Sequence, residues 1–403
     1  MAGPFDGVRV LDMTTVVVGP YSAQMLGDMG AEVIKVEAPD GDLTRGAGPW
    51  VNKGMGANYM QLNRNKRAIC LNLKTEGGAE ALRAMLRETD LFVHNMRPEP
   101  LERLGFDYDS VRELKPDMVY CNIWGFGRSG RYAGQAAYDD VIQGASGLVA
   151  LEGFGGQKAR YVPSLIADKT TGLFAAYAMA AALYHRLATG EGQEIEVPMF
   201  ESMVSFTLVE HLCGESFVPS QGPAGSLRHA TPLRWPYATK DGHICAMPGS
   251  DKHWRGFLTA IGREDLWNNP ILKDRAARRE HMKEVLELLS ELMLERTTAD
   301  WASLLTEAGV PCMPVATLAD VVADGHLDDV GFWHKSEHAS EGGVRLMNPP
   351  YTLEKSPATI RRDPPRFGEH TRTILAEHGY DADAIERLVS EGAAIDEDAA
   401  NTK

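Results

Sequence analysis

The chain has 403 residues, 44% apolar and 24% charged, an ordinary globular composition whose length exceeds one minimal core and predicts two domains. Its 41 Lys and Arg against 56 Asp and Glu leave a formal charge of -15, which argues against a nucleic-acid or anionic-membrane binder, so an anionic ligand would need a local basic patch. No apolar run is long enough to span a membrane, the start MAGPFDGVR lacks the marks of a signal peptide, and the five Cys have no metal-ligand spacing; a cytoplasmic protein with reduced, mostly buried thiols and no metal is expected.

In chain order, Gly7 to Met13 predicts a strand, Ser22 to Met29 a helix and Ala31 to Val36 a second strand, a βαβ unit and hence a parallel sheet. Strand Ala68 to Leu73, a helix from Gly77 to Glu88, strand Leu91 to His94, helix Val111 to Lys115 and strand Met118 to Ile123 continue the alternation, so the first half reads as an open, Rossmann-like α/β domain. A helical run, Leu173 to Leu187, ends at Gly190, and strand Glu194 to Val197 and a helix from Met199 to Cys213 follow. Residues 214–232, rich in Gly, Pro and Ser, read as a linker.

Residues 233–325 then read as a smaller α+β domain: a hairpin around Lys240-Asp-Gly, helices near Lys252 to Ile261, Arg275 to Glu295 and Thr298 to Ala308, and strand Val310 to Val315. From 326 the chain predicts a hairpin at Gly342-Gly343, a Pro-rich crossing at Asn348 to Tyr351 and a helix pair, Thr371 to His378 and Asp381 to Glu391, returning to the first domain, with residues after Ala394 expected to fray.

Asp168 lies in the polar run before the helix of Leu173. A carboxylate there meets unpaired N–H groups and the positive end of the helix dipole, which are expected to hold it ionised, as a cap or as a poised nucleophile. Gly125 to Gly130 matches G-x-G-x-x-G after a strand, yet the loop-like RYAGQA that follows denies it the helix a dinucleotide site requires. There is no P-loop, G-x-S-x-G or HExxH. Between Gln61 and Leu104 eight Lys and Arg outnumber six acids; Arg64, Lys66, Arg67, Lys74, Arg97 and Arg103 read as solvated charge or as a phosphate-binding patch.

Taken together and in order, GVRVLDMTTVVVGP, QMLGDMGAEVIKVEAPDGDLTR, NRNKRAICLNLKT, VHNMRPEPLERLGFDY, YCNIWGFGRSG, LATGEGQEIEVPMFES, GVPCMPV and FGEHTRTIL resemble the class III CoA-transferase family, the carnitine and formyl-CoA transferase group that also holds acyl-CoA racemases. The resemblance implies a large Rossmann-like domain built from both termini, a small central domain and a homodimer of two chains interlinked like rings. It implies that Asp168 is the catalytic aspartate, and that coenzyme A is contacted by Leu71, Asn72, Leu73 and Lys74, by Asn95, Met96, Arg97 and Arg103, and by Ala136, Ala137, Tyr138 and Asp139. An acyl-CoA donor and a carboxylic acid acceptor would be the partners, with the backbone near the helix start and Gly249 as oxyanion donors. The chain departs from the formyl-CoA transferases at Val17, at Ala38 and at Met247 to Ser250, where no glycine-rich run occurs, and from the racemases at Tyr138-Asp139, where those carry His-Asp. A racemase or epimerase and a non-catalytic CoA binder are the alternatives.

Overall fold

The computed structural model describes residues 2–153, 158–226 and 235–397. Two compact units are built, one from Met1–Val149, Tyr161–Val209 and Leu327–Lys403, the other from Ala150–Arg160 and Glu210–His326. Of the stretch read as a linker, 227–232 lies outside the described residues.

The first unit alternates strand and helix: β1 (Arg9–Met13), α1 (Val18–Asp28), β2 (Glu32–Glu37), α2 (Ala57–Leu62), β3 (Lys66–Leu71), α3 (Glu76–Leu86), β4 (Leu91–His94), α4 (Pro98–Leu104), α5 (Tyr108–Leu114), β5 (Val119–Trp124), α6 (Asp139–Ala145), α7 (Leu148–Glu152), α8 (Ile166–Thr189), β6 (Gln193–Pro198) and α9 (Met199–His211). Strands β1 to β6 pair in parallel in the order β3-β2-β1-β4-β5-β6. This is the doubly wound order in which the chain reverses direction between β1 and β4, and ligands of such sheets lie beyond the strands' carboxyl ends at that reversal. Both faces are buried, as a parallel sheet demands. Leu11, Ile34, Ile69 and Phe92 face a core with Leu82 and Met85 of α3, and their neighbours Val10, Val33, Leu91 and Val93 face Ala23 and Leu26 of α1 and Ala175 and Met179 of α8.

The second unit holds β7 (Tyr237–Ala238), β8 (His243–Ala246), α10 (Asp251–Ala260), α11 (Arg275–Glu280), α12 (Met282–Met293), α13 (Thr298–Glu307), β9 (Cys312–Pro314) and α14 (Leu318–Val322), with α15 (Gly325–Asp329) at its end. Its three strands form an antiparallel sheet, and Trp254, Phe257, Leu289, Trp301 and Leu305 form its core. The run expected to be one helix from Arg275 to Glu295 breaks at His281 into α11 and α12.

The remaining chain returns to the first unit as the hairpin β10 (Trp333–His338) and β11 (Gly342–Met347), then α16 (Thr371–Glu377), α17 (Ala382–Ser390) and β12 (Ala394–Ile395). Ile374, Leu375, Ile385 and Leu388 of the two helices complete the core beneath α3. The expected fraying after Ala394 is corrected: β12 pairs antiparallel with the free edge of β3, Ile395 against Cys70, and Asp396 binds Arg372 at 2.5 Å. Residues 398–403 of that tail lie outside the described residues. The thiols also differ from expectation, since only Cys70 and Cys121 are buried while Cys213 and Cys245 are exposed. No helix among the described residues is long and apolar enough to cross a membrane.

Candidate active site

The loops after β1 and β4 meet at the sheet's reversal, and Asn95 ties them together. Its Oδ1 accepts from the Thr15 N–H at 3.0 Å and its Nδ2 donates to the Thr15 carbonyl at 2.9 Å. The next residue, Val16, has φ of 72°, left-handed backbone that a β-branched side chain strongly resists. Buried ions hold this loop: Lys35 donates to the Thr14 carbonyl at 2.8 Å and to Asp42 at 2.9 Å, and Asp42 accepts from the Val16 N–H at 3.3 Å. Close by, Lys66 binds Asp12 at 2.8 Å, and both side chains are fully buried. Burial outweighs the attraction of Asp12 and draws the Lys66 ammonium down to about 8.

Asp168 is the third residue of α8, which begins seven residues before the apolar run that announced it. Thr171, the sixth residue, is fully buried. The cap reading is corrected, because Leu165 occupies the N-cap without a side-chain bond and the Asp168 carboxylate makes no hydrogen bond to another described residue. Instead its own backbone N–H donates to Asp139 Oδ1 at 3.0 Å. Asp168 is 7% exposed and Asp139 5%.

The expectation that the helix holds Asp168 ionised is also overturned. Burial first, and the nearby Asp139 carboxylate second, push its carboxyl up from 3.8 to about 7. That rise is worth about 4 kcal/mol, against about 0.3–1 kcal/mol for a helix terminus. Desolvation without hydrogen bonds wins, and such a perturbed carboxyl marks a candidate functional group.

Asp139 is the first residue of α6, and Gln143, one turn on, donates from Nε2 to Asp139 Oδ2 at 2.6 Å. Gln143 Oε1 accepts from the Val162 N–H at 2.9 Å. One amide therefore joins α6 to the strand of chain entering α8. Gln143 was not among the expected residues, although its i,i+4 spacing from Asp139 is the signal that could have shown it.

The other expected residues divide by element. Asn72 to Lys74 form the turn after β3, where Asn72 Oδ1 accepts from the Lys74 N–H at 3.2 Å. Beside it a cavity of about 290 Å³ is lined by Asn72, Pro39, Ala394 and Ile395. Leu71 is buried in the core and Leu73 packs against it, as does Met96 after β4, whose carbonyl accepts from Trp124 Nε1 at 3.0 Å. Arg97 sits at the N-cap of α4 and Arg103 in its last turn. Ala136 and Tyr138 are exposed, and Ala137 packs beside Phe126. With strands about 4.8 Å apart, the turn after β3 and the loop after β4 lie about 14 Å from one another along the same edge.

The basic patch is smaller than the sequence implied. Arg64 is paired with Asp28 at 2.6 Å and Arg67 with Glu32 and Glu377, and Lys66 is consumed by Asp12. All three lie before or at the start of β3, and their charge is spent on acids within the fold. Lys74, Arg97 and Arg103 are exposed and carry no ion pair among the described residues. Gly249 is likewise corrected as an oxyanion donor, because its N–H is spent on the Met247 carbonyl at 2.8 Å. The glycines of Gly125 to Gly130 serve packing: no helix follows before Asp139, a Cβ on Gly125 would meet the Ala137 Cβ at 2.5 Å, and the Gly127 N–H donates to Glu201 at 3.2 Å.

The model of CoA-transferase family III matches residues 5–371. A human succinyl-CoA:glutarate CoA-transferase is 33% identical over 397 residues, 96% of this chain and 89% of that protein. The succinate--glutarate CoA-transferase of Agrobacterium fabrum is 32% identical over 93% of this chain and 95% of its own length. The crystal structure of a CAIB/BAIF family protein from Brucella suis superposes with a TM-score of 0.80 at 30% identity, covering 94% of this chain and all of that one. The chain belongs to CoA-transferase family III and is a class III CoA-transferase.

Proposed function

We propose that Asp168 is the covalent nucleophile of an acyl-CoA:carboxylate CoA exchange. The observation that carries this reading is a carboxyl group excluded from water, without hydrogen-bond partners among the described residues, and pushed up to about 7 at the start of α8. A carboxylate so stripped of solvent is more basic and more nucleophilic than one at the surface.

The Asp168 carboxylate attacks the thioester carbonyl of the donor, and collapse of the tetrahedral oxyanion expels CoA thiolate and leaves an acyl-aspartyl anhydride. The thiolate then attacks the Asp168 acyl carbon, releasing the donor acid as its carboxylate and forming an aspartyl-CoA thioester. An acceptor carboxylate attacks that thioester, giving a second anhydride and thiolate. Attack of thiolate on the acceptor's acyl carbon yields the new acyl-CoA and regenerates Asp168 as a carboxylate. Charge is conserved at each step and no net proton transfer is required. The Ile166 and Asp168 N–H groups already donate to the Ser164 carbonyl and to Asp139, so within the first turn of α8 the Ala167 N–H is the donor suited to the oxyanions.

Lys74, Arg97 and Arg103 are proposed to hold the phosphates of CoA, supported by their exposure and lack of acidic partners, and the cavity beside Asn72 suits the adenine. Anchoring the carrier there would let its binding energy orient the thioester at Asp168. A succinyl-CoA donor with a dicarboxylate acceptor such as glutarate is the substrate pair we propose, on the likeness to the two transferases so named. A two-chain assembly, interlinked or not, is supported by α8: Leu173, Tyr177, Tyr184 and Leu187 form an apolar stripe opposite its buried face, with Tyr177 75% exposed.

The decisive experiment is exchange between succinyl-CoA and glutarate with Asp168→Asn and with hydroxylamine trapping. The variant is expected to lose turnover while keeping its CoA affinity, and the native protein to yield a hydroxamate at Asp168. Undiminished exchange by the variant would exclude the covalent role. Solvent deuterium entering the α-carbon without any acceptor acid would favour racemisation instead.

A further inference from the structure

The second unit contains a cavity of about 990 Å³ that neither Asp168 nor any residue proposed to hold CoA lines. Its volume is that of a small-molecule site, at the upper end of the usual range. Buried Trp254, Val285 and Leu289 form its inner wall, and Met282 of α12 and the exposed Met313 of β9 extend it outward. Methionine lends such a wall the adaptability to fit different chain shapes.

The charged residues of the lining all come from one element. Arg275, Arg278 and Arg279 of α11 all line the cavity, and their i, i+3 and i+4 spacing puts them on one face of that helix. Arg278 is buried and already satisfied, donating to the Leu272 carbonyl at 2.7 Å and pairing with Asp251. Arg275 and Arg279 are exposed and have no acidic partner among the described residues, in a chain whose net charge is -15. Two unneutralised guanidinium groups beside a hydrocarbon wall complement a molecule with an anionic head and an apolar body.

We propose that this cavity is a second binding site, for a monocarboxylic acid with a hydrocarbon tail. The carboxylate sits between Arg275 and Arg279, and the tail lies against Met282, Leu289 and Trp254. A monoanion suffices for two guanidinium groups whose neighbour Arg278 is already neutralised, and the wall facing them is largely hydrocarbon, with Trp254, Val285, Leu286 and Leu289. The site is distinct from the residues assigned to CoA exchange and does not depend on that assignment.

The test is calorimetric titration of the full chain with decanoate below its micellar range, with decanol as the uncharged comparison. One saturable site per chain is expected for both. Arg275→Ala with Arg279→Ala, two exposed positions, should weaken decanoate about tenfold or more and decanol less than twofold. Leu289→Trp should abolish both by filling the cavity, and circular dichroism of each variant confirms the fold. Exchange between succinyl-CoA and glutarate should stay within twofold in the double Arg variant. Absence of saturable decanoate binding, or binding indifferent to both sets of substitutions, overturns the proposal. So does decanoate binding that appears only on dilution to the monomer, because the cavity would then belong to a contact between copies of this chain.

Discussion

Replacing Asp139 by Asn separates two effects that this residue exerts on Asp168. Its charge raises the Asp168 carboxyl, and its Oδ1 receives the Asp168 N–H at 3.0 Å. Burial is the larger cause of a rise from 3.8 to about 7, so the share of Asp139 is less than half, about one unit. Exchange requires the carboxylate form, and activity should therefore fall as pH drops through about 7 in the native protein. In Asp139→Asn that acid limb should move down by about one unit, leaving the variant relatively more active near pH 6. At pH 8.5 the variant should retain activity within about tenfold, because an amide oxygen can still accept the backbone N–H, at the cost of the Gln143 contact. The assay is initial-rate exchange from pH 5.5 to 9, with kcat and kcat/KM resolved separately. An unmoved limb would show that the Asp139 charge does not reach Asp168. Loss as deep as that of Asp168→Asn at every pH would mean that Asp139 itself takes part in the chemistry.

Asp168→Asn should also stabilise the protein. A folded carboxyl that titrates above its unfolded value makes the native state bind more protons between about pH 4 and 7, so stability declines as pH rises through that window; the variant should gain about 1–3 kcal/mol at pH 8 and nothing near pH 4, read as a Tm difference of a few degrees. Arg97→Ala and Arg103→Ala should each weaken CoA about fivefold to fiftyfold, and the loss should shrink in high salt; isothermal titration at two ionic strengths checks it. Lys66→Met strands the fully buried Asp12 carboxylate and should cost about 3–5 kcal/mol in urea unfolding, with Asp12→Leu in the same chain recovering most of it.

Short, nearly continuous apolar runs at β1 to β5, separated by helix-length segments, carry the parallel sheet in the sequence, because burial on both faces leaves that pattern locally. The start of α8 was misplaced because its first turn, Ile166 to Thr171, is read as polar although Ala167 and Thr171 are buried. The state of Asp168 was beyond local reading altogether: the group that perturbs it, Asp139, is 29 residues away and is brought in by α6. The same holds for Arg64 and Lys66, whose acids Asp28 and Asp12 lie 36 and 54 residues upstream. Positive residues looked available in the sequence because neutralisation is a property of packing. Gln143 was overlooked since an amide among apolar neighbours carries no charge to draw attention.

The pairing of β12 with β3 has a consequence for synthesis. The first five strands leave the ribosome long before residues 394–395, and the entire second unit is translated in between. During that interval the outer edge of β3 has no backbone partner and the apolar faces awaiting α16 and α17 stay uncovered, which is the condition under which nascent sheets recruit the wrong strand. A chain truncated before Ala394 would keep α16 and α17 yet leave the outer edge of β3 permanently unpaired, an open template for a foreign strand.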